Sequence, residues 1–163
     1  MSDEKYFHAD FFHFPWLRYG VDKPSSGFDG LVQATYTPKR NMTMFLRYQY
    51  KVKDQNYIGE KKITCSYVKH KLRYQLGYTL QKFFSLRTTV DFVIVHPENV
   101  SSNHGFMLSQ MFSYSFQQLP LQLSVNYGFF DTDNYESRLT TYEKGMLYSL
   151  SLPSFYGKGI RTS

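Results

Sequence analysis

Leu72-Arg73-Tyr74-Gln75-Leu76-Gly77-Tyr78-Thr79-Leu80 places Leu or Tyr at every even position and a polar residue or glycine at every odd one. Past Gln81-Lys82-Phe83, the even residues Phe84, Leu86, Val90, Phe92 and Ile94 repeat the pattern against Ser85, Arg87, Thr89 and Asp91. Side chains of a strand point to opposite faces in turn, so each stretch is a ribbon with one apolar and one polar face. A polar connection this short makes the two ribbons an antiparallel hairpin. If Leu80 faces Phe84, Arg73 stands opposite Asp91 and Gly77 opposite Arg87.

Outward from this hairpin the same rhythm predicts about eight strands. A poorly defined one lies around Tyr6 to Phe14, and the others run near 31–38, 42–53, 70–80, 84–95, 105–116, 121–130 and 138–152. Three connections are tight: Lys39-Arg40-Asn41, Gln81-Lys82-Phe83 and Gln117-Gln118-Leu119-Pro120. Polar or Gly/Pro-bearing stretches at 15–30, 54–69, 96–104 and 131–137 are read as longer loops between them. Short turns on one side, long loops on the other and tilted strands of about ten residues are what a bilayer asks of a transmembrane β-barrel. The predicted fold is therefore all-β, one domain over 1–163: an antiparallel up-and-down meander of the outer-membrane β-barrel type, closed as a small barrel or incomplete.

Face parity supports these registers. Even residues are apolar in 42–53 (Met42, Met44, Leu46, Tyr48, Tyr50, Val52) and in the strand before it (Val32, Ala34, Tyr36). An odd-numbered turn keeps the faces aligned. After Gln117–Pro120 the apolar parity switches from Phe106, Leu108, Phe112 and Phe116 to Leu121, Leu123, Val125, Tyr127 and Phe129, as an even-numbered turn requires. A slip by one residue would turn every side chain to the wrong face.

Composition fits the same reading. There are fifteen Tyr and fifteen Phe against one Trp, and Tyr in excess suits half-apolar, half-wet girdles. The net charge is +6, but the charges are scattered singly along strands, without a nucleic-acid-binding motif. Lone Cys65 excludes an internal disulfide and a multi-cysteine zinc site. Residues 1–5 open no apolar run of a secretory signal, so a signal is expected upstream in a longer reading frame, and the ending at Ser163 lacks the terminal aromatic strand usual for bacterial barrels.

Catalytic chemistry is not evident. His8 and His13, near Asp10, would point to opposite faces of a strand. No serine sits in a Gly-x-Ser-x-Gly elbow, and Ser101-Ser102-Asn103-His104 is the nearest approach to a Ser/His pair. Asp131-Thr132-Asp133-Asn134 begins like a calcium loop but lacks its glycine and distal glutamate. Neither enzyme activity nor a cofactor is expected. Gly157 and Gly159 read as turn residues.

Two blocks resemble a family of Bacteroidota envelope proteins: Phe11-Phe12-His13-Phe14-Pro15-Trp16-Leu17-Arg18-Tyr19-Gly20-Val21-Asp22 with Pro24-Ser25, and Phe130-Asp131-Thr132-Asp133-Asn134-Tyr135-Glu136-Ser137-Arg138 with Tyr142–Gly145 and Pro153–Arg161. That family carries a helix-hairpin-helix segment of the kind found in DNA-uptake proteins, followed by a long β-barrel-like region. The resemblance implies that this chain is a slice of that region, in the outer membrane of a Gram-negative bacterium. Its implied partners are lipid, the remaining strands of a longer chain and other envelope proteins. No nucleic acid is expected on this segment, because no helical hairpin is present in it.

On this reading the apolar faces meet lipid. Arg47, Lys71, Arg73, Arg87, Asp91 and Asn126, together with Gln49, Gln75, Gln122 and Ser124, face a lumen. Asp131, Asp133, Glu136 and Arg138 form a charged loop cluster that pins the outer mouth, and Trp16 lies at the interface. The expected function is a pore, a transporter or an envelope anchor. The alternative is a soluble β-barrel or sandwich holding an apolar small molecule, with the same apolar faces turned inward. Alternation alone is common to both.

Overall fold

The computed structural model describes residues 3–17, 21, 23–58, 62–80, 83–98, 101–140, 143–144, 150–151 and 153–162. Seven long strands follow one another: β1 (Asp3–Phe14), β2 (Ser25–Lys39), β3 (Met42–Ile58), β4 (Lys62–Leu80), β5 (Phe84–Pro97), β6 (Asn103–Ser115) and β7 (Gln122–Thr132). After a single 3-10 turn at Tyr135–Ser137 come the short strands β8 (Leu139–Thr140), β9 (Glu143–Lys144), β10 (Leu150–Ser151) and β11 (Ser154–Phe155), then β12 (Lys158–Thr162). The sheet is an antiparallel meander of eight strands in the order β1-β2-β3-β4-β5-β6-β7-β12. β1 and β12 are its two edges, and they do not pair with each other.

The registers follow the parity. Arg73 pairs with Asp91, Gly77 with Arg87 and Leu80 with Phe84. Where β2 turns into β3 the connection is tighter than expected, because Lys39 already pairs with Met42. A turn this short would put β3 out of phase by one residue. An irregularity between Tyr36 and Lys39 corrects it, so that Tyr36 meets Met44 and even residues again share a face. Pro38 lies inside that irregularity, where a residue without an N–H is tolerated.

Two expectations are corrected. The connections are shorter than 15–30, 54–69 and 96–104: β2 already begins at Ser25, β3 and β4 stay paired through most of 54–69, from Lys53↔Tyr67 out to Ile58↔Lys62, and β5 and β6 reach Pro97 and Asn103. These outer strand ends carry polar residues on both faces, such as Lys53, Asp54, Asn56, Thr64 and Ser66. Alternation therefore disappears while the backbone ladder continues, helped by the Thr64 hydroxyl donating to Asn56 Oδ1 at 3.0 Å. The last wall strand is likewise not 138–152. The described parts of that stretch are β8, β9 and β10, which pair only with short neighbours, β8 with β11 and β9 with β10. The other residues of that stretch lie outside the described ones. The eighth place in the sheet belongs to β12, where Ile160 meets Phe129.

The chain leaves the sheet at Thr132 and rejoins it at Gly157. Gly157 N–H donates to Thr132 Oγ1 at 2.7 Å, and Thr132 N–H donates to the Gly157 carbonyl at 2.9 Å. Gly157 has φ +81, which glycine adopts without the steric cost of a Cβ, and this lets the chain turn into β12. The intervening excursion returns over the polar face. There Leu139 joins Tyr67, Val93, Val95 and Met107 in the buried apolar cluster, with Cys65, Phe130 and Phe155 against it.

Candidate functional site

The two faces of the sheet differ in an unusual sense. Even residues of β2 to β6 and odd residues of β7 leave large apolar side chains in the open: Leu46, Leu72, Tyr74, Leu108, Leu123 and Val125 are each between 39% and 58% exposed. The opposite face is the more buried one, and it is charged. Asp91 retains 2% of its exposure there, with Ser109 and Ser113 also buried. A water-soluble sheet with one covered face hides its apolar side; here the polar side is covered.

On that covered face, register sets Gln33, Arg47, Arg73 and Asp91 in one row across β2 to β5, and Gln49 and Lys71 in the next row. Arg73 Nε donates to Asp91 Oδ1 at 2.6 Å and its Nη2 to Oδ2 at 3.1 Å, a bidentate pair. Its Nη2 also donates to the Thr140 carbonyl at 3.0 Å, tying the excursion to the sheet. Arg47 faces Arg73 directly, yet among the described residues its guanidinium donates only to the neutral Gln33 Oε1, at 2.7 and 3.1 Å. Lys71 makes no hydrogen bond or ion pair with any described residue. Arg47, Gln49, Lys71 and Arg73 line a recess of about 40 Å³.

Of the lumen residues read from the sequence, Arg47, Lys71, Arg73 and Asp91 thus come together. Arg87 lies apart, nearer the short turns, where with Arg40, Gln75 and Ser113 it lines a wider recess of about 270 Å³. Asn126 of β7 pairs with Met111 of β6, away from the charged row.

The four loop residues do not meet in one cluster; each is spent on a separate contact. Asp131 pairs with Lys158 of β12 at 3.0 Å. Asp133 Oδ2 accepts from the His104 N–H at 2.7 Å. Glu136 Oε1 accepts from the Tyr67 hydroxyl at 2.6 Å, while the Glu136 carbonyl accepts from Lys69 Nζ at 3.2 Å. Arg138 stacks on Tyr135, its guanidinium carbon 4.2 Å from the ring centroid. The calcium-like start serves as a cap instead, since Asn134 Oδ1 accepts from the backbone of Glu136 and Ser137.

Tyr67, Lys69 and Thr140 hold the excursion and were not singled out from the sequence. A signal existed for the first: Tyr67, like Val93, Val95 and Met107, is apolar at an odd position of an otherwise polar face. Ser102 does find a histidine, but it is His96 (Nδ1 to Oγ, 2.7 Å) rather than His104, and no carboxylate among the described residues bonds that ring to orient it. His13 is bonded to Ser26 at 2.8 Å.

No family model, no curated protein and no solved structure matches the chain.

Proposed function

We propose that this chain is wall of an outer-membrane β-barrel, of the Bacteroidota envelope type, that serves as a pore, transporter or envelope anchor. Its apolar face meets lipid, its charged face borders a water-filled lumen, and the excursion after Thr132 lies within that lumen. The observation that carries this is the inversion of the sheet: the apolar side is the exposed one and the charged side the covered one.

Dimensions support it. From Met42 to Val52, at about 3.3 Å per residue and a tilt of about 40°, the apolar side of β3 projects about 25 Å, the height of the outward band of such barrels. Aromatic side chains gather at both borders of the band, as interfacial belts do. One border has Tyr48 and Tyr50 against His70, the Tyr48 hydroxyl 2.8 Å from His70 Nδ1. The other has Phe84 and Phe112, with Tyr114 edge-on to Phe116. Asp131 and Lys158 close the band on β7 and β12, and the polar outer ends of β3 and β4 rise beyond it.

A sheet edge in hydrocarbon leaves N–H and C=O groups unsatisfied. The proposal therefore requires β1 and β12 to be paired in the membrane, and strands of a longer chain are the proposed partners. The soluble alternative, an apolar ligand held between inward apolar faces, is disfavoured by the same inversion.

The test is quenching by brominated lipid. Trp16 is replaced by Phe, and a single Trp is placed by Leu123→Trp or Asn126→Trp in reconstituted bilayers. Strong quenching at 123 with little at 126 is the expected result. Equal or absent quenching at both positions, in protein that folds in plain buffer, overturns the reading.

A further inference from the structure

We propose that the recess bounded by Arg47, Gln49, Lys71 and Arg73 is a binding site for a phosphate-class oxyanion. Directly opposed like charges on neighbouring strands destabilise a sheet, and Arg47 stands directly opposite Arg73. Lys71 sits on the adjoining row of the same strand as Arg73. Among the described residues only one of these three cations is bonded to a carboxylate: Asp91 is engaged bidentately by Arg73. Arg47 is held by an amide oxygen; Lys71 makes no hydrogen bond or ion pair with a described residue, and the carboxylate that attracts it, Asp91, is already engaged by Arg73. All three are partly buried, so bulk water screens them less than it screens surface charges.

Such an arrangement costs stability in the empty protein and is relieved by an anion between the three groups. Two arginines and a lysine that border one recess from two strands match a tetrahedral ion with several charged oxygens better than a planar carboxylate. Gln49 does not compete, because its side-chain amide donates to Asp29 at 2.7 Å. A recess of about 40 Å³ has room for about three waters, enough for a single phosphate group, free or at the end of a larger solute. Rings of Arg and Lys serve anion and phosphate pores in this way.

The proposal deepens the lumen reading but needs only that solutes reach the charged face, so it can fail independently of the lipid-quenching test. The longest available reading frame that contains this chain, refolded in detergent micelles, is titrated by calorimetry with inorganic phosphate, glycerol 3-phosphate and acetate at constant ionic strength. One phosphate per chain is expected, with acetate weaker. Lys71→Gln and Arg47→Gln should each weaken phosphate at least about tenfold, and Lys158→Gln at the rim should leave it unchanged. Phosphate bound alone marks a site for the free ion, and glycerol 3-phosphate bound equally well marks one for a phosphate end group; both support the proposal. Because a ligand that binds only the folded chain raises its stability, phosphate should raise the thermal midpoint of the wild type and not of Lys71→Gln. Without phosphate the Lys71→Gln midpoint should equal or exceed that of the wild type. A lower midpoint with undiminished phosphate binding, acetate bound more tightly than phosphate, or no binding at all would overturn it.

Discussion

Arg73 and Asp91 show what a single register-determined contact does in this protein. Asp91 keeps 2% of its exposure and Arg73 keeps 21%, so the Asp91 carboxylate cannot fall back on water if Arg73 is removed, and Arg73 can do so only at the recess. Breaking such a pair from one side costs about 3–5 kcal/mol, because a buried charge is left uncompensated. Asp91→Asn should do more than that loss alone suggests, since it removes the one carboxylate that, among the described residues, is bonded to the Arg47, Lys71 and Arg73 group. The expected result is a drop in the urea unfolding midpoint for Asp91→Asn that is partly recovered in the Asp91→Asn/Arg73→Met double variant. Equal midpoints for the wild type and Asp91→Asn would mean that the pair is hydrated and of little consequence. The pairing itself was legible in the sequence, because two alternating ribbons and a short turn leave one register that keeps both apolar faces together. Its bond to the Thr140 carbonyl was not, since it depends on where a distant segment comes to rest.

At the level of elements, the excursion between β7 and β12 rests on the sheet through a few defined contacts. Gly105 of β6 lies beneath it: a Cβ there would stand 2.5 Å from the Ser137 carbonyl oxygen. Gly105→Ala should therefore lift the 3-10 turn, breaking the Tyr67–Glu136 bond while leaving the wall strands in place. Faster amide exchange confined to the excursion, with unchanged far-ultraviolet circular dichroism, is the expected observation; exchange unchanged throughout would refute the close approach. Tyr67→Phe removes one hydrogen bond to a charged group, worth about 1.5–3 kcal/mol, and should loosen the same segment without a steric push. The sequence hinted at this packing through the odd-position apolar residues Tyr67, Val93, Val95 and Met107. Read strand by strand, they look like lapses in alternation. They become intelligible only when Leu139 and Phe155 are seen to cover them.

For the molecule as a whole, the decisive property is which face meets the surroundings. Leu46 is near the middle of the apolar band and 47% exposed. In water, Leu46→Arg at such a position would change stability by about 0.5 kcal/mol or less. On the lipid face of a barrel near the bilayer midplane it costs about 2–4 kcal/mol. Unfolding titrations of chain reconstituted in lipid should show the larger loss for Leu46→Arg, and a much smaller one for Thr43→Arg on the other face near the turns. Similar small losses at both positions would count against a membrane wall.

The sequence by itself determined the strands' existence through β7, their registers across the three tight turns and the partition of side chains between two faces. All of these follow from local periodicity and the length of adjacent turns, which act between neighbours in the chain. It did not determine the outer extent of β3 and β4, where polar residues on both faces erase the period but cross-strand hydrogen bonds carry the ladder on. Nor did it determine that 138–152 would yield its place in the sheet to β12, or that the charged face would be the covered one. Those outcomes rest on contacts between residues far apart in sequence, such as Tyr67 with Glu136 and Arg73 with Thr140. Tertiary structure alone brings such partners together, because neither periodicity nor turn length constrains where a segment returns once it has left the sheet.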